Sequence, residues 1–399
     1  MTLRRALALA LERSPELASF SWEVRVREGQ AQQAGLRPNP ELEGELEEFA
    51  GSGDLKSFDT SESTLLLAQT FETAGKRGKR RTAAERETEV AGWEYEAARL
   101  RVYASVVKAF TGVLAAQERV AVTEELVKVA ESSEEAVGRL VSAGATPSVE
   151  RTRAGVEAAT ARVEVAAARR ALKAARAELA STWGATSPDF TRADGKIEAV
   201  VSPPSLDTLR KNLARNPELA RWDAEIVRQD ALVALEDARR FPNVTAGAGV
   251  KHLAEVDETA MVAGFSIPLP LFDRNQGARA AARASLRKAH HERRAEHARL
   301  AAALEGAYQE IAARYEEVTQ LREQILPGAR EAFTGVREGY LQGLFRNVDV
   351  LDSQQRLFEL RLREIESLRA YHAARAEVER MTGQPLGSGT GSSAGGVKP

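Results

Sequence analysis

The chain has 399 residues, a formal net charge of −2, 29% charged and 6% aromatic residues, and no cysteine. Disulfides, thiolate metal sites and cysteine nucleophiles are thereby excluded, and the mixed charges give no overall nucleic-acid surface. No run of about 18 apolar residues occurs, so no membrane-spanning helix is expected; Ala, Glu, Arg and Leu dominate, as in long packed helices.

Residues 2–34 are predicted as a helix, lightly broken at Ser14-Pro15. Met1 runs almost at once into the helical pattern of Leu3, Leu7 and Leu11, so no signal peptide is visible; in an exported protein that segment would already have been removed. After Pro38-Asn39 come two strand-like runs, 41–49 and 60–71, joined by Gly51-Ser-Gly-Asp54. Leu42, Gly44 and Leu46 alternate with Glu43, Glu45 and Glu47, a period of two with one polar face. A long helix follows over 76–141, on the order of 100 Å at 1.5 Å per residue. The turn Ser142-Ala-Gly-Ala-Thr-Pro147 leads into a helix of about half that length, 148–183. The proline-bearing stretch 184–205 reads as a connector.

The order then repeats. Leu7–Phe20 and Leu209–Trp222 share seven of fourteen positions, including Pro-Glu-Leu-Ala in both. Roughly two hundred residues is too long a period for a solenoid and suits a duplicated half. Pro242-Asn243 precedes strands expected at 244–252 and 259–269, in which Ala246, Ala248 and Val250 alternate more weakly. In Ser266-Ile-Pro-Leu-Pro-Leu-Phe-Asp-Arg-Asn-Gln-Gly277 the prolines mark where a strand stops, and Asp273 or Asn275 is expected to cap the next helix. That helix spans 276–341, with a heptad seam at Leu304, Tyr308, Ile311, Tyr315 and Val318 and a bend expected at Pro327-Gly328. A glycine turn, Gln342–Asn347, leads to a return helix over 348–381.

The domain reading is therefore a first repeat at 1–183, a connector at 184–205, a second repeat at 206–383 and a disordered Gly/Ser-rich tail at 384–399. Two short helices stacked end to end match one long helix in reach, which brings the connector and the C-terminal region together as a belt. Four strands cannot close a barrel, and open sheet edges are not tolerated in lipid. Bacterial outer-membrane barrels start at about eight strands, so several copies must contribute to one.

The duplicated helices, Phe71-Glu-Thr-Ala-Gly-Lys-Arg-Gly-Lys-Arg-Arg81, Ser266–Gly277 and Tyr340-Leu-Gln-Gly-Leu-Phe-Arg-Asn-Val-Asp-Val-Leu-Asp352 resemble the TolC-like outer-membrane efflux (outer membrane factor) family over essentially the whole chain. The resemblance implies a mainly α fold with a membrane β-barrel. In it a homotrimer forms a twelve-stranded barrel in the outer-membrane lipid and an α-helical tunnel across the periplasm. It further implies docking to a periplasmic adaptor and an inner-membrane pump. The Gly-Lys-Arg after the second strand is most similar to the CzcC-like branch, which serves heavy-metal pumps of the resistance-nodulation-division type.

Asp349 and Asp352 lie three apart, on one helix face. The resemblance makes them a pore-facing pair near the periplasmic entrance, which threefold symmetry would turn into cation-favouring carboxylate rings. The alternative is that acids in a first helical turn suit the helix dipole. Gly144 and Gly343 suit left-handed helix caps. The resemblance adds that these turns are adaptor-docking tips, with Arg139, Leu140, Val141, Ser142, Leu341, Gln342 and Leu344 as candidate contacts. Lys76, Arg77, Lys79, Arg80 and Arg81 form a basic cluster that fails the phosphate-loop spacing. Directly below a strand, it reads either as a membrane-boundary cluster near lipid head groups or as a solvated surface.

His290 and His297 are too far apart on a helix to share one ion, and His290 and His291 point to different faces. No metal site or cofactor is expected, and no nucleophile elbow or zinc-protease helix occurs, so no enzyme is expected. The reading is a passive exit duct of a tripartite efflux system. The rivals are a duct for drugs or type I protein secretion and, in another class, a soluble coiled-coil scaffold.

Overall fold

The computed structural model describes residues 1–386, apart from the side chains of Asp54 and Leu341; the disorder expected for 387–399 lies outside the described residues. The chain divides into two compact units. One comprises Met1–Phe20, Tyr95–Pro217 and the chain from His297 onward; the other comprises Ser21–Glu94 and Glu218–Glu296.

In chain order the elements are α1 (Leu3–Arg13), α2 (Pro15–Ala34), β1 (Glu41–Glu47), β2 (Glu62–Phe71), α3 (Lys76–Ser142), α4 (Ser148–Ser181), α5 (Leu206–Leu213), α6 (Pro217–Arg239), β3 (Val244–Leu253), β4 (Glu258–Ser266), α7 (Gln276–Gln320), α8 (Leu326–Leu341) and α9 (Asn347–Thr382). The break expected at Ser14-Pro15 recurs at Asn216-Pro217, because a residue before proline is driven out of the helical region. Ser14 and Asn216 are both buried; Ser14 Oγ accepts from the Leu17 N–H at 3.5 Å, whereas the Asn216 amide donates to the Met381 carbonyl at 2.8 Å, so the second break is also a fastening point.

Several boundaries differ from expectation. Strand β1 ends at Glu47 rather than at 49, where Glu48 takes a positive φ, and β4 ends at Ser266 rather than at 269, since Pro268 and Pro270 have no N–H for a ladder. The bend expected at Pro327 is preceded by a π-helical turn at Leu321–Ile325, where the helix widens ahead of a residue that cannot donate back. Residues 384–386, counted with the tail by sequence, are held: the Leu386 N–H donates to Glu379 Oε1 at 2.8 Å, and Arg375 donates to the Leu386 carbonyl.

The sheet-bearing unit holds one antiparallel sheet in the order β1-β2-β3-β4, so the two strand pairs, nearly two hundred residues apart, meet at β2–β3. Parts of helices α2, α3, α6 and α7 belong to this unit, joined by ion pairs from Arg27 to Glu87, Arg221 to Glu94 and Arg293 to Asp223.

In the helical unit, α1 lays Ala6, Leu9 and Ala10 against Ala98, Val102, Val106 and Phe110 of α3 and Leu179 and Trp183 at the end of α4. Along α4 the buried positions Ala154, Ala158, Ala161, Val165 and Ala168 form one stripe. Small side chains there let helix axes approach closely, so dispersion contacts accumulate along the seam. The connector closes this core with Ala193 and Ile197.

Candidate functional site

The sheet has two chemically opposite faces. Cross-strand partners share a face, so the register places Glu41, Glu43, Glu45 and Glu47 of β1 with Glu62, Thr64, Leu66 and Ala68 of β2. Thr245, Gly247, Gly249, Lys251 and Leu253 of β3 and Glu258, Ala260, Val262, Gly264 and Ser266 of β4 continue that face. Its charges are those six carboxylates against the single ammonium of Lys251, which pairs with Glu62 and lies 3.8 Å from Glu47. The other face carries Leu42, Leu46, Leu65, Leu67, Phe71, Val250, Met261 and Phe265, all exposed. Met261 is 83% and Phe265 79% exposed, far beyond what a water-facing sheet leaves bare. Each outer strand, β1 and β4, is paired on one side only.

Below β2 the chain turns through Ala74 and Gly75, both with positive φ. Here the basic cluster separates into two groups. Lys76 is buried and donates to Asn243 Oδ1 at 2.5 Å; burial, the largest effect, pulls its ammonium below the usual lysine range. Arg80 reaches the carbonyls of Ala34 (2.7 Å) and Leu36 (3.0 Å) and grips Glu72 at 2.5 Å. These two cations fasten the strand–helix corner. Arg81 pairs along its own helix with Glu85 at 2.7 Å. Arg77 is exposed and Lys79 half-buried, neither with an ion-pair partner among the described residues.

At the second corner Asn275 has positive φ, and its amide donates to the backbone and side chain of Glu236 at 2.8 and 2.7 Å. Asp273 accepts from the Asn275 N–H at 2.8 Å. The helix-capping role expected of Asp273 or Asn275 is thus a turn-and-tether: Asp273 closes the turn while Asn275 works as a donor.

At the far end of the helical unit both long helices stop in the same way. Gly144 (φ 69°) and Gly343 (φ 75°) take the left-handed conformation. The Ala145 N–H donates to Leu140 O at 2.9 Å and the Gly144 N–H to Val141 O at 3.0 Å; Leu344 donates to Gly339 O at 2.8 Å and Gly343 to Tyr340 O at 3.0 Å. Each is a double-bonded cap that satisfies the last carbonyls. Ser142 donates to the Gly138 carbonyl, and Arg139 pairs with Glu135. Leu140, Gln342 and Leu344 are exposed, and Val141 is half-buried. Leu341 ends α8, and its side chain lies outside what is described. Sequence reasoning missed Gly339, where an added Cβ would lie 2.5 Å from the Phe345 ring.

The two aspartates have different surroundings. Asp349 Oδ2 accepts from the Arg346 N–H at 2.8 Å, and Oδ1 lies 3.3 Å from the Arg346 guanidinium. That backbone bond first, then the guanidinium bond, lowers its carboxyl below the usual aspartate range. Asp349 is therefore a capping residue of α9, while Asp352 is exposed with no partner among the described residues. No group of three metal-ligating side chains occurs among the described residues.

A belt of polar contacts, also missed, ties the connector to the later helices. Tyr371 Oη accepts from the Val201 N–H (3.0 Å) and donates to its carbonyl (2.6 Å), His372 Nε2 lies 2.8 Å from Ile197 O, and Arg322 in the π turn donates to Glu198 O at 2.6 Å and to Glu364. Burial chiefly pulls His372 below the usual histidine range. Beside it buried Glu379 accepts from Tyr103 at 3.0 Å; burial, then that carboxylate, pushes the phenol to about 12.

The sequence profile of the outer membrane efflux protein family matches residues 6–185 and 208–384, one copy per half. The cobalt-zinc-cadmium resistance protein CzcC of Cupriavidus metallidurans is 35% identical over 384 residues, covering 96% of this chain and 90% of that protein. The nickel and cobalt resistance protein CnrC of the same organism is 31% identical over 69% of this chain and 64% of its own length. Among solved structures, CusC superposes with a TM-score of 0.80 at 15% identity over 96% of this chain and 92% of its own. The outer membrane protein VceC from Vibrio cholerae gives 0.76 at 19% identity over 96% of both chains. These relatives are transport proteins. The chain belongs to the outer membrane efflux protein family, as an exit duct of the outer membrane with a periplasmic tunnel.

Proposed function

We propose that the protein carries divalent heavy-metal cations out through a homotrimeric duct. The observation that carries this reading is the two-faced sheet. Free edges on β1 and β4 call for β1 of one copy to pair with β4 of the next, and three copies give a closed twelve-stranded barrel. Its apolar face then meets lipid, and the face with six carboxylates and one ammonium lines the lumen. An anionic lumen raises the local concentration of cations and repels anions. The relatives named for cobalt, zinc, cadmium and nickel resistance support the same cargo.

Asp349 and Asp352 supply a second anionic station. Asp349 is held by its cap, so Asp352 is the carboxylate free to meet a passing ion. The tips around Gly144 and Gly343 dock a periplasmic adaptor, which couples the duct to an inner-membrane pump that supplies the energy. Arg77 and Lys79, the unpaired members of the basic cluster, face lipid head groups at the inner boundary of the membrane.

The test is accumulation of cobalt, zinc and cadmium in cells carrying a heavy-metal pump and its adaptor, with and without this chain. Loss of the chain should raise retention of at least one of these metals. Unchanged metal retention with raised retention of an organic drug or a secreted protein would replace the cargo.

A further inference from the structure

Helix α4 carries two heptad-spaced stripes, and only one is used within the chain. Ala154, Ala158, Ala161, Val165 and Ala168 are buried. On the side turned away from them run Val149, Thr152, Val156, Ala159, Val163 and Ala166, all exposed, the valines 51%, 58% and 68% so. Spacings of 3 and 4 over five intervals describe a coiled-coil seam without its partner. Beta-branched apolar side chains seven apart have no reason to face water along a charged helix.

The complement lies on the same chain. Helix α8 packs Leu326, Ala329 and Phe333 toward α9, and its opposite side presents Gly328, Glu331, Gly335 and Glu338, all exposed. A Cβ at Gly328 or Gly335 would meet nothing within 4 Å. The glycines are also seven apart.

Ion pairs between neighbouring helices set the relative heights within this unit. Arg162 pairs with Glu131 and Arg169 with Glu124, linking α4 to α3. Arg361 pairs with Glu125, linking α3 to α9. Arg363 pairs with Glu317 and Arg322 with Glu364, linking α9 to the α7–α8 helix. Carried across these antiparallel steps, Val163 comes level with Gly328 and Val156 with Gly335, to within about one helical turn. Helix α9 also reaches the start of α4, where Asn347 donates to Glu150 at 3.4 Å; the valine seam lies on the side of α4 away from its buried alanine stripe, and the glycine seam on the side of α8 away from α9.

We propose that the valine seam of α4 seats in the glycine seam of α8 of a second copy, Val156 against Gly335 and Val163 against Gly328, forming the join between neighbouring copies in the tip-proximal helices. Valine knobs need holes, and glycines bare of Cβ at matching heights provide them. The inference rests on the trimeric reading above and adds the residues through which the helical parts of the copies meet. An adaptor hairpin is the competing occupant of the valine seam.

The chain has no cysteine, so a Val156→Cys/Gly335→Cys double variant carries only the two introduced thiols, both at exposed positions. Purified alone in detergent and oxidised, it should shift from the monomer band to covalent trimer on a denaturing gel. Neither single variant should do so, and the pair set one heptad out of step, Val163→Cys/Gly335→Cys, should give far less. Native mass spectrometry of the unoxidised sample separates the two readings. Trimers that do not crosslink through the matched pair overturn the seam and leave the assembly standing; absence of trimers overturns both. A Val156→Cys thiol that labels freely in the trimer and is protected only on adding adaptor also overturns the seam. Gly335→Leu, which fills the hole without a thiol, should lower the temperature at which the trimer dissociates; an unchanged temperature counts against the proposal.

Discussion

The two strand-to-helix corners descend from the same repeated template and are fastened by different chemistry. The first, after β2, is locked by charge: Lys76 is buried on Asn243, and Arg80 spans two carbonyls and Glu72, whose side chain is 11% exposed. The second, after β4, uses two prolines, the positive φ of Asn275 and the tether of its amide to the carbonyl and carboxylate of Glu236; its arginines act further along the helix, where Arg279 and Arg283 pair with Asp237, and Leu269, Leu271 and Phe272 stay exposed. The contrast teaches that duplication preserved the backbone path while side-chain chemistry diverged. One corner became a rigid joint, and the other a wide apolar rim.

The contrast can be broken first at Arg80. Arg80→Ala leaves the largely buried Glu72 carboxylate and two carbonyls without their donor, so it should cost about 3 kcal/mol, read as a lower urea midpoint. Asn275→Ala removes the amide tether to Glu236 and a residue tolerant of positive φ while leaving Arg279 and Arg283 on Asp237, and should cost about 1–2 kcal/mol by the same measurement. Equal losses at the two sites would erase the distinction between the corners.

The tips show the same divergence on a smaller scale. Both end in the double-bonded glycine cap, and Gly144→Ala and Gly343→Ala should each cost about 1 kcal/mol. At Gly339 the Phe345 ring occupies the space of a Cβ, so Gly339→Ala should shift Phe345 and weaken adaptor binding. Leu140 stands at the matching place in the first tip; Gly138, two residues before it, has open space at its Cβ position, and Gly138→Ala should leave adaptor binding unchanged. Adaptor affinity measured by surface immobilisation distinguishes them.

The belt adds a pH dependence. Burial depresses the folded-state pKa of His372 below 6.5. The neutral ring's contribution is therefore complete above that value and fades as pH falls through the lower folded pKa. Arg375, Glu379 and Arg322 also face the ring, and charging it adds a cation beside two arginines. The unfolding temperature should fall more steeply below pH 6.5 in the native chain than in His372→Gln; identical slopes would remove His372 from the account. Smallest of all, Asp349→Asn should slightly weaken the start of α9, whereas Asp352→Asn should leave stability unchanged and reduce block by divalent cations. The reverse pattern would exchange their roles.

Much of this was legible in the sequence because it is periodic or punctuated. Glu43, Glu45 and Glu47 against Leu42 and Leu46 announced a two-faced strand, and Ser14-Pro15 against Asn216-Pro217 announced the duplicated break. What stayed hidden depends on partners far along the chain. Nothing local says that Arg80 reaches Ala34 and Leu36 while Arg77 stays free, or that Tyr371 holds Val201. On α4 the buried alanine stripe and the exposed valine stripe have the same spacing, and hydrophobicity alone would have buried the wrong one. The π turn was displaced from Pro327 because the strain falls on the turn before the proline.

In the proposed trimer the glutamate face of the sheet lines a cation-preferring lumen. Reversal potential in a planar bilayer under a salt gradient tests it most directly, comparing the native trimer with the variant in which Glu41, Glu43, Glu45 and Glu47 are all replaced by Gln. The account predicts cation preference in the native duct and a marked loss of it in the variant, and anion preference in the native duct, or equal reversal potentials in the two, would contradict it.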